Sequence, residues 1–276
     1  MSGISAVEVA AFNGSVTVEA GAESYRLEVT VSGSATHEVE RLGNLLYITG
    51  KKQGLTYLGK SVSFRLWLPA GLALKLASIN GAVRLRGAAR SLDASTHNGA
   101  IEAERTGPAG LRLRTSSGAI TVRDAGGFID IAASNGAIRV KDATAGVKIS
   151  TSNGDVEIEG AQGEIKISTS HGAVRLDDVF GQMQVSTSNG AVRLAEATLQ
   201  PGSKNWLRTA HGEVTVLKLR APGGANIDAK TATIPIQAEL PGYEVKNSWG
   251  HLKARQRGAR PAKLEINSTG KVRITA

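Results

Sequence analysis

The chain has 276 residues, 41% hydrophobic but only 4% aromatic, with 33 glycines, no cysteine and a formal net charge of +9. That much apolar content excludes a disordered tail, and the scarcity of rings leaves Val, Ile, Leu and Ala to fill the core. The missing thiols exclude disulfides, thiolate zinc sites and cysteine nucleophiles.

The N-terminus, MSGISAVEVAAFNG, has no basic region leading into an apolar run. Nowhere do about 18 apolar residues follow one another, so neither a signal peptide nor a transmembrane segment is read. A cytoplasmic location is therefore expected, or the cell surface if an export signal has been trimmed. Residues 1–65 hold loosely patterned strands, expected as a cap or flank.

Residues 66–220 are a regular repeat, and a repeat changes the meaning of every other feature. The phrases SINGAVRL, THNGAIEA, TSSGAITV, ASNGAIRV, TSNGDVEI, TSHGAVRL, TSNGAVRL and TAHGEVTV align on Gly81, Gly99, Gly118, Gly136, Gly154, Gly172, Gly190 and Gly212, in steps of 18, 19, 18, 18, 18, 18 and 22. These are structural turn residues, and a positive φ at the bend is the expected reason for glycine. Apolar residues alternate after each glycine (Val83 and Leu85, Ile120 and Val122) and before it (Leu111 and Leu113, Ile165 and Ile167), as on half-buried strands. No helical period competes, and one such unit could bury little alone, so neighbours must share a core.

Asn-Gly invites a tight hairpin turn, whereas a period of 18 invites stacked coils. Outward charges discriminate, because opposite charges are favoured between neighbours. Across the hairpin turns, three of the charged pairs are alike and three opposite. Stacked from unit to unit, the columns beginning at Lys75, Arg84 and Arg86 give 10 opposite contacts and 4 alike. The fold expected is therefore all-β: a single-stranded, β-helix-like β-solenoid with coils of about 18 residues and two strands per coil, flanked by irregular β caps.

The reiterated TSNGAVRL units, preceded by VSFRLWLPAGLALKLASINGAV and closed by LEINSTGKVRITA, resemble the bacterial putative adhesin family of β-strand-repeat domains. That resemblance implies a β-solenoid with an adhesion or scaffolding role, and no catalytic motif comes with it. A more distant resemblance is to the bactofilins, β-helical filament formers of similar coil length, which would imply end-to-end self-association.

Residues 221–276 continue the β pattern less regularly. From residue 201 onward there are 13 Lys and Arg against 5 Asp and Glu, so +8 of the +9 lies there. Within HLKARQRGARPAK, Lys253, Arg255 and Arg257 alternate and would share one face of a strand, with Arg260 and Lys263 following. These five are the candidate anion-binding residues, for nucleic acid or acidic polysaccharide. The plainer reading is a solvated edge strand guarded against aggregation by its cations.

Other chemistry finds little support. Asp177 and Asp178 are adjacent, and on a strand would point to opposite faces instead of forming an acid/base pair. His37, His97, His171, His211 and His251 are scattered, with His171 and His211 two coils apart, too far to share a metal. The Thr and Ser around each Asn could form an outward hydroxyl ladder, but corner packing accounts for them better. No catalytic, cofactor-binding or metal-ligating residue is assigned, and no cofactor. The sequence thus points to a non-enzymatic scaffold or adhesin-like protein. Partners left open are a protein or polysaccharide surface, nucleic acid through the basic cluster, and a second copy end to end.

Overall fold

An extended segment leaves every backbone N–H and C=O to be paired with a neighbour. Here the neighbour is the same segment one coil away. The structure, a computed structural model, describes residues 3–52, 59–232 and 236–276, and no helix occurs among them. The chain divides into two compact units, Met1–Gly136 and Ala137–Ala276.

The first unit contains β1 (Ala6–Ala11), β2 (Val16–Ala20), β3 (Arg26–Ser32), β4 (Ala35–Leu42), β5 (Leu45–Lys52), β6 (Ser61–Leu68) and β7 (Ala73–Ser78). It continues with β8 (Val83–Arg86), β9 (Ser91–Thr96), β10 (Ile101–Gly107), β11 (Gly110–Ser117), β12 (Ile120–Ala125) and β13 (Ile129–Asn135). One ladder runs β4, β5, β1, β7, β9, β11, β13. The other runs β3, β6, β2, β8, β10, β12. All pairings are parallel except those of β3 and β4, which close the N-terminal end antiparallel.

The second unit contains β14 (Ile138–Ala143), β15 (Val147–Asn153), β16 (Val156–His171), β17 (Val174–Asn189), β18 (Val192–Leu199), β19 (Lys204–His211) and β20 (Val214–Leu217). After these come β21 (Ala225–Thr231), β22 (Gln237–Glu239), β23 (Glu244–Ser248), β24 (His251–Gln256), β25 (Ala262–Ser268) and β26 (Val272–Thr275). β16 and β17 each turn a corner and serve both ladders. One ladder runs β15, β16, β17, β19, β25, β21, β24, β23, and the other β14, β16, β17, β18, β20, β26, β22.

The fold is therefore the β-solenoid that the repeat predicts. Val156 faces Val174 and Val174 faces Val192, so partners lie one period apart and not across the Asn-Gly turn. The alternating residues of both ladders, from Val83 and Leu85 to Val192 and Leu194, are the buried core. Columns of outward charge pair as stacking requires: Arg84 with Glu102 at 3.2 Å, Arg86 with Glu104 at 2.9 Å, Arg139 with Glu157 at 3.4 Å and Lys141 with Glu159 at 3.0 Å.

Both chain ends are threaded inward. β1 lies between β5 and β7, and β2 between β6 and β8, so the first strands of the chain form an inner coil. Likewise β25 lies between β19 and β21, and β26 between β20 and β22. The outermost position on the longer ladder is left to the antiparallel hairpin β23–β24, which is laid on the edge of β21.

The turn glycines have a reason other than the expected one. Of the eight, only Gly136 (φ +132) and Gly172 (φ +146) lie in the positive-φ range. What Gly81, Gly99, Gly118, Gly190 and Gly212 lack room for is a side chain: a Cβ on Gly99 would lie 2.1 Å from the carbonyl oxygen of Gly81, one on Gly118 2.0 Å from that of Gly99, and one on Gly190 2.0 Å from that of Gly172. The carbonyl of one corner occupies the space where the next corner's side chain would stand. The same oxygen accepts a buried hydroxyl from the next coil: Thr96 donates to Gly81 at 3.0 Å, Thr115 to Gly99 at 3.2 Å, and Thr209 to Gly190 at 2.9 Å. Thr96, Thr115, Thr187 and Thr209 are thus inward corner braces, while Thr169 donates to the His171 carbonyl of its own coil and Thr151 Oγ1 is buried without a partner among the described residues.

A second corner falls six residues after each turn glycine and carries the left-handed backbone. It is occupied by Gly87, Arg105 and Asp124 in the first unit, and by Asp142, Gly160, Asp178, Glu196 and Lys218 in the second. This corrects the reading of Asp177 and Asp178: the left-handed residue breaks the strand alternation, both side chains are exposed, and the Asp178 N–H donates to Asp177 Oδ1 at 3.0 Å.

Gly190→Ala is expected to lower stability by about 1–3 kcal/mol, because its Cβ meets backbone that cannot move aside cheaply. Gly110→Ala, where nothing stands within 4 Å of the new Cβ, should be neutral or stabilising by up to about 1 kcal/mol. Asp178→Gly should gain about 0.5–1 kcal/mol by relieving the left-handed backbone. Denaturant midpoints of the three variants, measured with an unchanged m-value, check all three.

Candidate functional site

A solenoid whose coils end in tight corners has little concavity, so a site must come from what departs from the repeat. In the second unit such a departure is the hairpin β23–β24. Its outward residues extend the rows of the sheet: Lys263, Asn226, Arg255 and Glu244 stand in one row, and Glu265, Asp228, Lys253 and Lys246 in the next. Trp206 begins the second row, beside Glu265. Over these rows the surface forms a hollow of about 630 Å3.

The five sequence-selected cations are not one patch. Lys253 and Arg255 alternate on β24 and line the hollow, as does Lys263 from β25. Arg257 stands beyond the end of β24 and reaches Glu244 at 3.2 Å. Arg260 lies beside the Gly202 turn, where its carbonyl accepts the Gly202 N–H at 2.9 Å. Sequence spacing did not point to Lys246, which the hairpin sets directly opposite Lys253, nor to the acids that share the hollow.

Those acids are engaged elsewhere. Asp228, opposite Lys253 in register, meets His251 Nε2 at 3.0 Å. Glu244, opposite Arg255, gives its carboxylate to Arg257. Lys263 bonds Glu265 at 2.6 Å, and this hydrogen bond holds the Glu265 carboxyl below the usual carboxylate range and raises the Lys263 ammonium. Lys246, Lys253 and Arg255 form no ion pair among the described residues. Two of these, Lys246 and Lys253, are like charges placed directly across a strand pair, an arrangement that repels.

The remaining histidines sit on corners or edges. His171 is flanked in register by Asn153 and Asn189, His211 by Asn189, and His37 lies on β4. Among the described residues, no three His, Asp or Glu side chains come together as a metal site requires, and no helix is long and apolar enough to cross a membrane.

The model of one protein family, Toastrack DUF4097, matches residues 4–275. A solved structure described as a "putative cell adhesion protein" from Clostridium sporogenes is similar at 10% identity, over 99% of this chain and 93% of that one, with a TM-score of 0.26. No curated protein matches the chain.

Because the Glu265 carboxyl is depressed, its contribution to stability is present above the ordinary carboxylate range and fades as pH falls through the lower folded value. Its NMR-detected titration should have a midpoint below 4.5. In Lys263→Met that midpoint should rise toward the ordinary value.

Proposed function

This chain belongs to the Toastrack DUF4097 family, and on that premise we propose that it is a non-enzymatic scaffold presenting a rigid, repetitive surface for adhesion to other macromolecules. The observation supporting this is how the coils turn. Among the described residues, the coils of the repeat pass from strand to corner to strand without a projecting loop, as in the unbroken sixteen residues of β16 and of β17. Enzymes built on stacked coils need such loops to wall a cleft and to bring acids and bases together. Many outward charges here are instead paired with one another, coil to coil, as in Arg139–Glu157 and Lys141–Glu159. Each exposed pair contributes only about 0.2–1 kcal/mol. Its larger effect is on register, since a slip of one residue would turn every charge inward.

A surface made of equivalent coils does not depend on any one of them. Deleting residues 155–172 removes one period of the β16–β17 register and rejoins Gly154 to Ala173, restoring the repeated phrase. The shortened chain should fold cooperatively with an unchanged β-type circular dichroism spectrum. Beads coated with either protein should be retained on polysaccharide- or protein-coated surfaces under washing, to similar extents. Retention of both at the level of bare beads on every surface would overturn the reading.

A further inference from the structure

The geometry points to the hollow over β21, β24 and β23 as a binding site for an acidic saccharide, a sugar unit carrying a carboxylate or sulfate. This goes beyond a scaffold role, since it assigns a ligand class to one place on the molecule. Three observations carry it.

The first is unbalanced charge. Many cations along the coils pair with an acid one coil away, and where like charges face each other there, as Lys148 and Lys166 do, they stand on the regular strand face. Here three cations without an ion pair among the described residues, Lys246, Lys253 and Arg255, line one hollow, and its acids Asp228 and Glu244 are diverted to His251 and Arg257. An anion held between Lys246, Lys253 and Arg255 would relieve the repulsion and supply the three cations with a counter-charge.

The second is the company these cations keep. Asn226, Asp228 and Glu244 line the same hollow. Carboxylates beside an anion-binding site oppose a bare polyphosphate, whose every unit is an acceptor. A sugar differs, because its hydroxyl groups donate to Asp228, Glu244 and the Asn226 carbonyl while its single charged group meets the cations. A nucleic-acid backbone is disfavoured further because no aromatic ring lines the hollow to stack a base.

The third is size and placement. A hollow of about 630 Å3 falls in the range of small-ligand sites and matches one or two sugar rings. It is built on the hairpin β23–β24, which adds to the sheet edge antiparallel without closing a coil.

The test uses the full chain, with polygalacturonate as the probe and dextran, duplex DNA and inorganic phosphate at matched ionic strength as comparisons. Isothermal titration should show binding to polygalacturonate that weakens as salt is raised, with no binding to dextran. The variant Lys246→Ala/Lys253→Ala/Arg255→Ala should bind at least about tenfold more weakly. Lys148→Ala/Lys166→Ala, which removes charge from a different stretch of the ladder, should bind as the wild type does, and circular dichroism establishes that both variants are folded. Galacturonate oligomers should displace the polymer where phosphate does not. No binding to polygalacturonate, equal weakening in both variants, or tighter binding of DNA than of polygalacturonate would each overturn the assignment. A soluble titration reads this hollow alone, so it can fail while bead retention succeeds, and the reverse.

Discussion

A carbonyl oxygen that occupies the position of a missing Cβ sets the geometry of the corners from Gly81 to Gly136 and from Gly172 to Gly212. At Gly81, Gly99, Gly118, Gly136, Gly172, Gly190 and Gly212 the carbonyl of a neighbouring corner glycine stands about 2 Å from where the side chain would begin, so no other residue type fits without moving backbone. That oxygen then accepts a threonine or serine hydroxyl from the following coil, as Thr187 gives to Gly172 and Ser268 to Gly212. The glycine N–H in turn donates onward, as Gly190 does to the His211 carbonyl at 3.0 Å. A corner so fixed on both sides leaves the strands little choice of register. The β-branched core and the paired surface charges reinforce that register.

Much of this was legible because the chain repeats itself. A step of 18, apolar residues alternating on both sides of each glycine, and charges that agree better when stacked than when folded back sufficed to specify coils and their period. The glycine itself was legible as a corner but not for its physical reason. Asn-Gly suggests a left-handed bend, and the short distance that matters lies between residues a whole coil apart. The true left-handed corner was hidden, because it is spelled Arg105, Asp124, Asp142, Asp178, Glu196 and Lys218, residues that resemble ordinary strand-edge charges.

The ends were harder to read. Gly14 in FNGSVTV and Gly270 in STGKVRI carry the corner phrase, yet they stand 67 and 58 residues from their partners Gly81 and Gly212, because intervening segments reach past them. Nothing local to the sequence reveals that such a strand is inserted and not added. The basic cluster was equally divided by what its spacing could not show. Lys253 and Arg255 lie on a strand, Arg257 and Arg260 lie beyond it, and Lys246 joins them only through the antiparallel hairpin.

The threading of the termini has a mechanical side. Because β1 and β2 at one end of the chain and β25 and β26 at the other are each hydrogen-bonded along both edges, tension applied through a terminus cannot peel away an outermost coil. It must first break two rows of bonds around an inner strand, within the same few residues. In each unit, the terminal strands are also among the most firmly seated.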